Sequence, residues 1–278
     1  MDYNLEHILN CLYKKSGFDF SGYCISIIER LISHRFNIIN CNDYKTYFNY
    51  LQENPDEFNN LIDELTINVS RFFRNTLTFE YIAKHILPMF LFSKESHKNN
   101  SFRVWSAGCS KGEEPYSIAI LINELLEKEK KNCDARIFAT DIDRKILKKA
   151  QNAIYPVESI ENIKYKLLKK YFTRKGEYFF LKPVIKDMVS FSIFDLLYKK
   201  SFAPPESIFG AFDMVLCRNV LIYFSKENQE IIFEKLYRSL LRNGYLILGE
   251  TEVPLTKYQQ YFTKVSDCCH IYQKLQEA

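Results

Sequence analysis

Two carboxylates directly after a glycine turn are the first chemical signal in the sequence. The stretch is Val104-Trp-Ser-Ala-Gly-Cys-Ser-Lys-Gly-Glu-Glu-Pro-Tyr-Ser117. An apolar strand, Phe102 to Ser106, is predicted to run into a turn of small residues. A helix opened by Glu113, Glu114 and Pro115 follows, since proline suits the first helical position. Ile118, Leu121, Ile122 and Leu125 then recur at helical spacing. Strand–glycine turn–helix units hold nucleotide-like ligands in doubly wound sheets. A phosphate-binding loop requires G-x-x-x-x-G-K-[ST], whereas here Gly108 and Gly112 are four apart and acid follows. Glu113 and Glu114 would repel a polyphosphate from the helix N-terminus, and no G-x-G-x-x-G is present. The pair suits a nucleoside carrying positive charge, such as S-adenosylmethionine with its sulfonium and ammonium groups. Both glutamates would equally stabilise the helix dipole with no ligand at all, and this stretch alone leaves the two readings open.

Further candidates lie in three other stretches. Arg136–Thr140 is predicted as the second strand and ends in Thr140-Asp-Ile-Asp143. An acid at that point is placed to hold a ribose diol, which is the role open to Asp141. Asp143 is better explained as a helix N-cap, and the alternative is that both acids are turn or cap residues. Thr66-Ile-Asn-Val-Ser-Arg-Phe-Phe-Arg-Asn75 joins polar groups to two arginines and two aromatics, the latter expected to pack. Phe212–Cys217 is a core strand followed by Arg218-Asn-Val-Leu-Ile-Tyr-Phe224. Ligands of doubly wound sheets sit outside the carboxyl ends of the strands, so Gly108, Asp141, Asp195, Arg218 and Asn219 are expected along one rim.

The elements that must carry these groups fall into two parts. Residues 1–75 read as a helical N-terminal domain and linker. Its predicted helices are Tyr3–Tyr13, Ser21 to about Phe36, one capped by Asp43, and one opened by Asp56 after the break at Pro55. Residues 76–278 read as an α/β domain with a doubly wound, Rossmann-like sheet. It begins with a helix from Thr76 to Phe92, and Lys94–Ser101 is a polar lead into the sheet. Within it, about 165–194, the runs Tyr171–Arg174, Glu177–Lys182 and Met188–Ile193 suggest a small inserted antiparallel sheet, punctuated by Gly176 and Pro183. Ser225 is placed to cap a further helix, Gly244 to stop it, and Tyr245–Gly249 and His270–Leu275 to complete the main sheet.

Composition narrows the function classes. The chain has 278 residues, 47% of them apolar, and a net charge of only +4, so no strong nucleic-acid field is implied. There is no apolar run of the length that spans a bilayer, and the first residues lack the basic start of a signal peptide. Eight cysteines without a C-x-x-C pair read as reduced thiols of a cytoplasmic protein. No metal site is expected.

Taken together, these stretches resemble the CheR family of chemotaxis receptor methyltransferases. The resemblance covers nearly the whole chain and rests on four motifs in order: Thr66–Arg74, Arg103–Ser117, Ala139–Asp143 and Cys217–Phe224. It implies a class I methyltransferase domain behind a helical domain, with an inserted β-subdomain. It also implies S-adenosylmethionine as cofactor, S-adenosylhomocysteine as product, and methyl transfer to glutamate side chains of methyl-accepting chemotaxis receptors. By position, Asn68, Ser70 and Arg74 would line the cofactor site. Glu114 would hold the methionine end and Asp141 the ribose. Asp195 and Leu196 would flank the adenine, with Gly108, Arg218 and Asn219 nearby. Arg74 and Tyr223 would serve the transfer itself. Three departures stand out. Ser70 replaces a common threonine, Asp195 replaces a common asparagine, and Cys109 places extra bulk where it would crowd the turn. The implied partners are the helical cytoplasmic regions of receptors; in this family some members also hold a receptor's C-terminal peptide on the inserted sheet and others do not, which leaves that sheet open as a peptide tether or a structural flap. A monomer that neither binds nucleic acid nor inserts into membrane is expected. The rival readings are a nitrogen methyltransferase acting on nucleic acid or protein, and an inactive cofactor-binding sensor. The first lacks the proline of a D/N-P-P-Y/F loop after the fourth strand. The second sits badly with intact Arg74, Asp141 and Tyr223.

Overall fold

The structure is a computed structural model that describes residues 4–67, 70–92, 101–207 and 211–275. Its helical unit comprises Met1–Asn68 together with Tyr223–Gln229. Helix α1 (Leu5–Ser16) starts at Asn4, whose side chain accepts from the His7 N–H, and ends at left-handed Gly17. Helix α2 covers Ile25–Ile39. In α3 (Tyr44–Glu53) the expected Asp43 cap accepts from the Thr46 N–H at 2.9 Å. Pro55 both ends α3 and sits in the first turn of α4 (Pro55–Leu65), where its missing N–H leaves no helical bond unmade. The apolar stripes meet in a core that includes Ile8, Leu12, Ile28, Ile32, Leu51 and Leu61. Inside it, Glu57 accepts from Arg35 Nε at 3.0 Å and from the Tyr47 hydroxyl at 2.8 Å. The returning segment bridges Phe224 to Tyr23 and accepts the Cys24 N–H on the Tyr223 carbonyl at 2.8 Å.

The second unit spans Val69–Ile222 and Glu230–Ala278. Its opening helix runs from Thr76 to Phe92 as expected, with helix α5 (Thr76–Tyr81) and helix α6 (Leu87–Phe92) joined through a π turn over Ile82–Ile86. Pro88 accounts for the wider turn, because its ring clashes with the carbonyl four residues back and supplies no N–H. Strand β1 (Ser101–Ala107) leads into α7 (Glu113–Glu129), and β2 (Asp134–Asp141) into α8 (Arg144–Asn152). Strands β3 (Ile154–Tyr155), β4 (Phe172–Lys175), β5 (Tyr178–Leu181) and β6 (Val189–Ile193) follow. Then come β7 (Phe212–Cys217), β8 (Leu240–Leu248), β9 (Phe262–Lys264) and β10 (Ile271–Lys274). The main sheet runs β6-β2-β1-β7-β8-β10-β9, and β10 is antiparallel to both its neighbours. Each of the pairs β1–β2, β1–β7, β2–β6 and β7–β8 is parallel.

Two expectations need correction. Met188–Ile193 does not join the inserted sheet. Instead β6 pairs in parallel with β2, from Ile137↔Val189 to Asp141↔Ile193. As an edge strand it is half solvated, so Val-Ser-Phe-Ser-Ile alternates as an antiparallel strand would. The inserted antiparallel sheet is β3-β5-β4, with β5 in the centre. Gly244 is not a helix stop either. Helix Lys226–Ser239 ends earlier and Gly244 lies within β8. A Cβ there would sit 2.9 Å from the Leu241 carbonyl oxygen and 3.1 Å from that of Phe212, so close backbone approach requires the glycine.

Candidate active site

The parallel strands β1, β2, β6 and β7 end in register, which brings the candidate residues of the second unit to one rim. Ala107 pairs with Thr140 and Asp141 with Ile193. Just past β1, the Gly108 and Cys109 N–H groups both donate to the Thr140 carbonyl, at 2.8 and 2.9 Å. Gly108 has φ 75°, and a Cβ there would lie 2.6 Å from a Val220 methyl carbon. The turn therefore needs glycine for conformation and for space. Cys109 does not crowd the turn. It is buried in the core, and burial pushes its thiol pKa well up.

The two acids after β2 do separate jobs. Asp143 caps α8 by accepting from the Lys145 and Ile146 N–H groups. Asp141 accepts from the Ser110 N–H at 2.8 Å on one oxygen and the Asp143 N–H at 3.1 Å on the other. Burial raises the Asp141 pKa, and those backbone N–H groups oppose the rise. Asp141 thus joins the glycine turn to the end of β2.

The paired glutamates diverge in the same way. Glu113 is 0% exposed. It accepts from Ser159 Oγ at 3.5 Å and from the Ser70 hydroxyl, while its Oε2 has no partner. Glu114 accepts from Ser106 Oγ at 2.8 Å and from the Arg218 guanidinium at 3.2 Å. Burial raises both carboxyl pKa values, and Arg218 pulls that of Glu114 back down.

Arg218 reaches further. Its Nη2 donates to the Arg74 carbonyl at 2.8 Å and to Asn75 Oδ1 at 2.6 Å, and its guanidinium lies over the Phe79 ring at 5.2 Å. The Arg71–Asn75 segment is latched twice more. Phe72 N–H donates to the Ser159 carbonyl and Phe73 N–H to Ser117 Oγ, each at 3.0 Å. Phe73 and Asn75, on either side of Arg74, have φ of 52° and 63°. Left-handed non-glycine residues persist only where surrounding contacts over-determine them, and these latches supply the contacts.

Asp195 is exposed and its carboxylate accepts from the Leu197 N–H at 2.8 Å, while Leu196 is buried. They follow Phe194, whose N–H donates to the Asp141 carbonyl at 3.0 Å, so they leave the same rim. Asn68 lies outside the described residues. Tyr223 belongs to the helical unit.

Sequence reasoning missed three residues. Ser106 and Ser117 lie inside the quoted motif but read as ordinary small residues. Glu252, 4% exposed, stands in the run Gly249-Glu-Thr-Glu252 after β8. An acid just past a buried strand, with no helix to cap, was the available signal. Its carboxylate accepts four backbone N–H groups, from Asn219, Val220, Ile222 and Gly249.

The donor set fits a cationic nucleoside and not a polyphosphate. Buried Glu113 and half-buried Glu114 and Asp141 surround the glycine turn, and Ser110 Oγ is a buried polar atom without a partner. Among the described residues no cluster of three His, Cys, Asp or Glu is arranged to hold a metal.

Comparison with known proteins bears on both units. The family model described as CheR methyltransferase, SAM binding domain, matches residues 68–270, and the model described as CheR methyltransferase, all-alpha domain, matches residues 4–66. A chemotaxis protein methyltransferase of Borreliella burgdorferi is 32% identical over 251 residues, covering 89% of this chain and 87% of that protein. Those of Salmonella typhimurium and Escherichia coli are 31% and 30% identical over 257 residues, each covering 90% of this chain and 84% of the relative. With both units matched, the chain belongs to the CheR family of chemotaxis protein methyltransferases, and S-adenosylmethionine is its cofactor.

Proposed function

We propose that the chain transfers the methyl group of S-adenosylmethionine to glutamate side chains of chemotaxis receptors, forming methyl esters. The observation that carries this reading is the latch by which Arg218 and Ser117 hold the Arg74 segment beside the glycine-turn helix. It fixes an arginine-bearing turn at a rim otherwise lined with acids. When bound, the cofactor supplies an electrophilic methyl on a sulfonium. The acceptor carboxylate is already ionised near neutral pH, so it needs no general base. What the protein must supply is alignment, worth at most roughly 7–11 kcal/mol. Arg74 is assigned to hold one acceptor oxygen by a charge-assisted hydrogen bond, and Tyr223 to orient the acceptor. Asp141 is assigned to the ribose, Glu114 to the methionine end, and Ser70, Gly108 and Asn219 to the cofactor walls. Asp195 and Leu196 are assigned to the adenine. Arg218 is assigned a supporting place, because both its Nη groups donate to the protein, to Glu114, the Arg74 carbonyl and Asn75, while its buried Nε has no partner.

The inserted sheet offers a second receptor contact. Strand β4 is an edge of the three-stranded sheet and exposes Thr173, Arg174 and Lys175, a fit for an extended peptide ending in a carboxylate. The central test incubates methyl-labelled cofactor with receptor-containing membranes, with RNA, or with no acceptor, and then adds alkali. Methyl esters release methanol in base. Label that stays base-stable, or that goes to RNA, overturns the proposal.

A further inference from the structure

We infer that Glu252 is a positioning residue for the cofactor rim, acting through the loop Arg218–Ile222. The inference rests on the assignment of Asn219 to the cofactor wall. Glu252 Oε2 accepts from the Asn219 and Gly249 N–H groups at 2.8 and 2.7 Å. Its Oε1 accepts from Val220 and Ile222 at 2.9 and 3.4 Å. A buried anion thus serves as the template around which the loop is wrapped, in the manner of backbone nests that bind anions. The template is itself anchored. The Glu252 N–H donates to the Gly249 carbonyl at 3.0 Å, and His270 Nδ1 donates to the Glu252 carbonyl at 2.5 Å.

The loop needs such a template. Asn219 sits at φ 59°, a conformation that non-glycine residues hold only under constraint. Gly249 leaves room for the arrangement, since a Cβ there would lie 2.7 Å from Glu252 Oε2 and 2.8 Å from the Asn219 nitrogen. Val220, held by the same carboxylate, is the residue whose methyl carbon would meet a Cβ at Gly108. Through Val220 and Arg218, the loop sets both the glycine turn and the Arg74 latch. Glu252 therefore reaches these groups without touching cofactor or acceptor.

Glu252→Gln is close to isosteric but puts an amide NH2 where an oxygen accepted two N–H groups. Donor then faces donor at Asn219 and Gly249 or at Val220 and Ile222, and the loop must shift. A misplacement of about 1 Å far from the chemistry can cost on the order of 100-fold in rate. The experiment measures three properties of Glu252→Gln: amide hydrogen exchange of residues 219–222, affinity for S-adenosylhomocysteine by calorimetry, and kcat and KM. Faster exchange confined to the loop and its neighbours is expected, with product affinity weakened about tenfold and kcat/KM lowered by on the order of 100-fold. Faster exchange with unchanged affinity and turnover would reduce Glu252 to a structural role and overturn the inference. Unchanged exchange would overturn it as well. Asn219→Ala, measured in parallel, separates the two assignments: unchanged product affinity there refutes the role of Asn219 whatever Glu252→Gln shows.

Discussion

Arg218→Met tests the latch most directly. In the native protein the Arg218 side chain is 3% exposed and that of Glu114 12% exposed. Methionine matches much of the aliphatic volume and removes the charge. Three groups then lose the guanidinium donor: the Glu114 carboxylate, the Arg74 carbonyl and Asn75 Oδ1. Removing one member of a buried ion pair costs about 3–5 kcal/mol, a large part of the roughly 5–15 kcal/mol that keeps a domain folded. Adding Glu114→Gln removes the uncompensated charge but does not restore the hydrogen bonds to the Arg74 carbonyl and Asn75 Oδ1, so the double variant should recover about 1–3 kcal/mol of the loss. The penalty also has a sign in pH. Burial already raises the Glu114 pKa, with Arg218 opposing; without Arg218 it rises further. A carboxyl with a raised folded pKa is destabilising above that pKa and ceases to be so once protonated. The deficit of Arg218→Met should therefore shrink as pH falls from neutral to weakly acid. Urea denaturation of wild type, both single variants and the double variant, at two pH values, measures all of this. A single-variant cost below about 1 kcal/mol, or no recovery in the double variant, would refute the reasoning.

Other expectations follow from the same network. Asp141→Asn keeps an acceptor for one backbone N–H but loses the second, so calorimetry should show weaker cofactor binding with only a small fall in thermal stability; unchanged affinity refutes the ribose assignment. Arg74→Ala should lose most turnover while melting near wild type, because the latch uses the Arg74 backbone; unfolding or intact turnover contradicts its role. Glu113→Gln neutralises a fully buried carboxyl whose pKa burial has raised, so it should stabilise the protein near neutral pH and lose that advantage in acid, by thermal melts at both. Burial lowers the Lys235 pKa to about 8, so between about 8 and its unfolded value near 10.4 the unfolded chain binds more protons and this contribution grows with pH; Lys235→Met should lack that rise in denaturation series. Charge reversal at Arg174 and Lys175 should slow methylation only of receptors ending in the carboxylate peptide, and equal effects on all receptors would remove β4 as a contact.

Legibility followed the physics of each signal. The glycine turn, the end of β2 and the rim were readable because strand–turn–helix units carry local signatures: glycine spacing, a helix-opening proline and a capping acid. The capping of α8 by Asp143 was readable for the same reason. Strand β6 was misassigned because local alternation reports half-burial and says nothing of the partner strand. The π turn at Ile82–Ile86 was readable in principle from Pro88. Glu252 and Ser117 stayed hidden because their importance lies in contacts across the fold, and Ser106 because its partner Glu114 lies beyond the turn. Asn219 and Glu252 are 33 residues apart in sequence, and Arg218 and Asn75 are 143 apart. No periodicity links such pairs.

The three-stranded sheet is an insertion by topology and a core element by packing, and the two facts divide its residues by how freely they can change over evolutionary time. Its ends meet, with the Leu181 N–H donating to the Ala153 carbonyl at 3.1 Å, so its length can vary without disturbing the order of the main sheet. Its inner face has no such freedom. Tyr155 and Phe172 pack edge-on against Phe72 at centroid distances of 4.8 and 5.3 Å, and Phe72 is two residues from Arg74. Thr173, Arg174 and Lys175 are exposed and lie outside that packing. A lineage can therefore substitute these positions one at a time while Arg74's support stays in place.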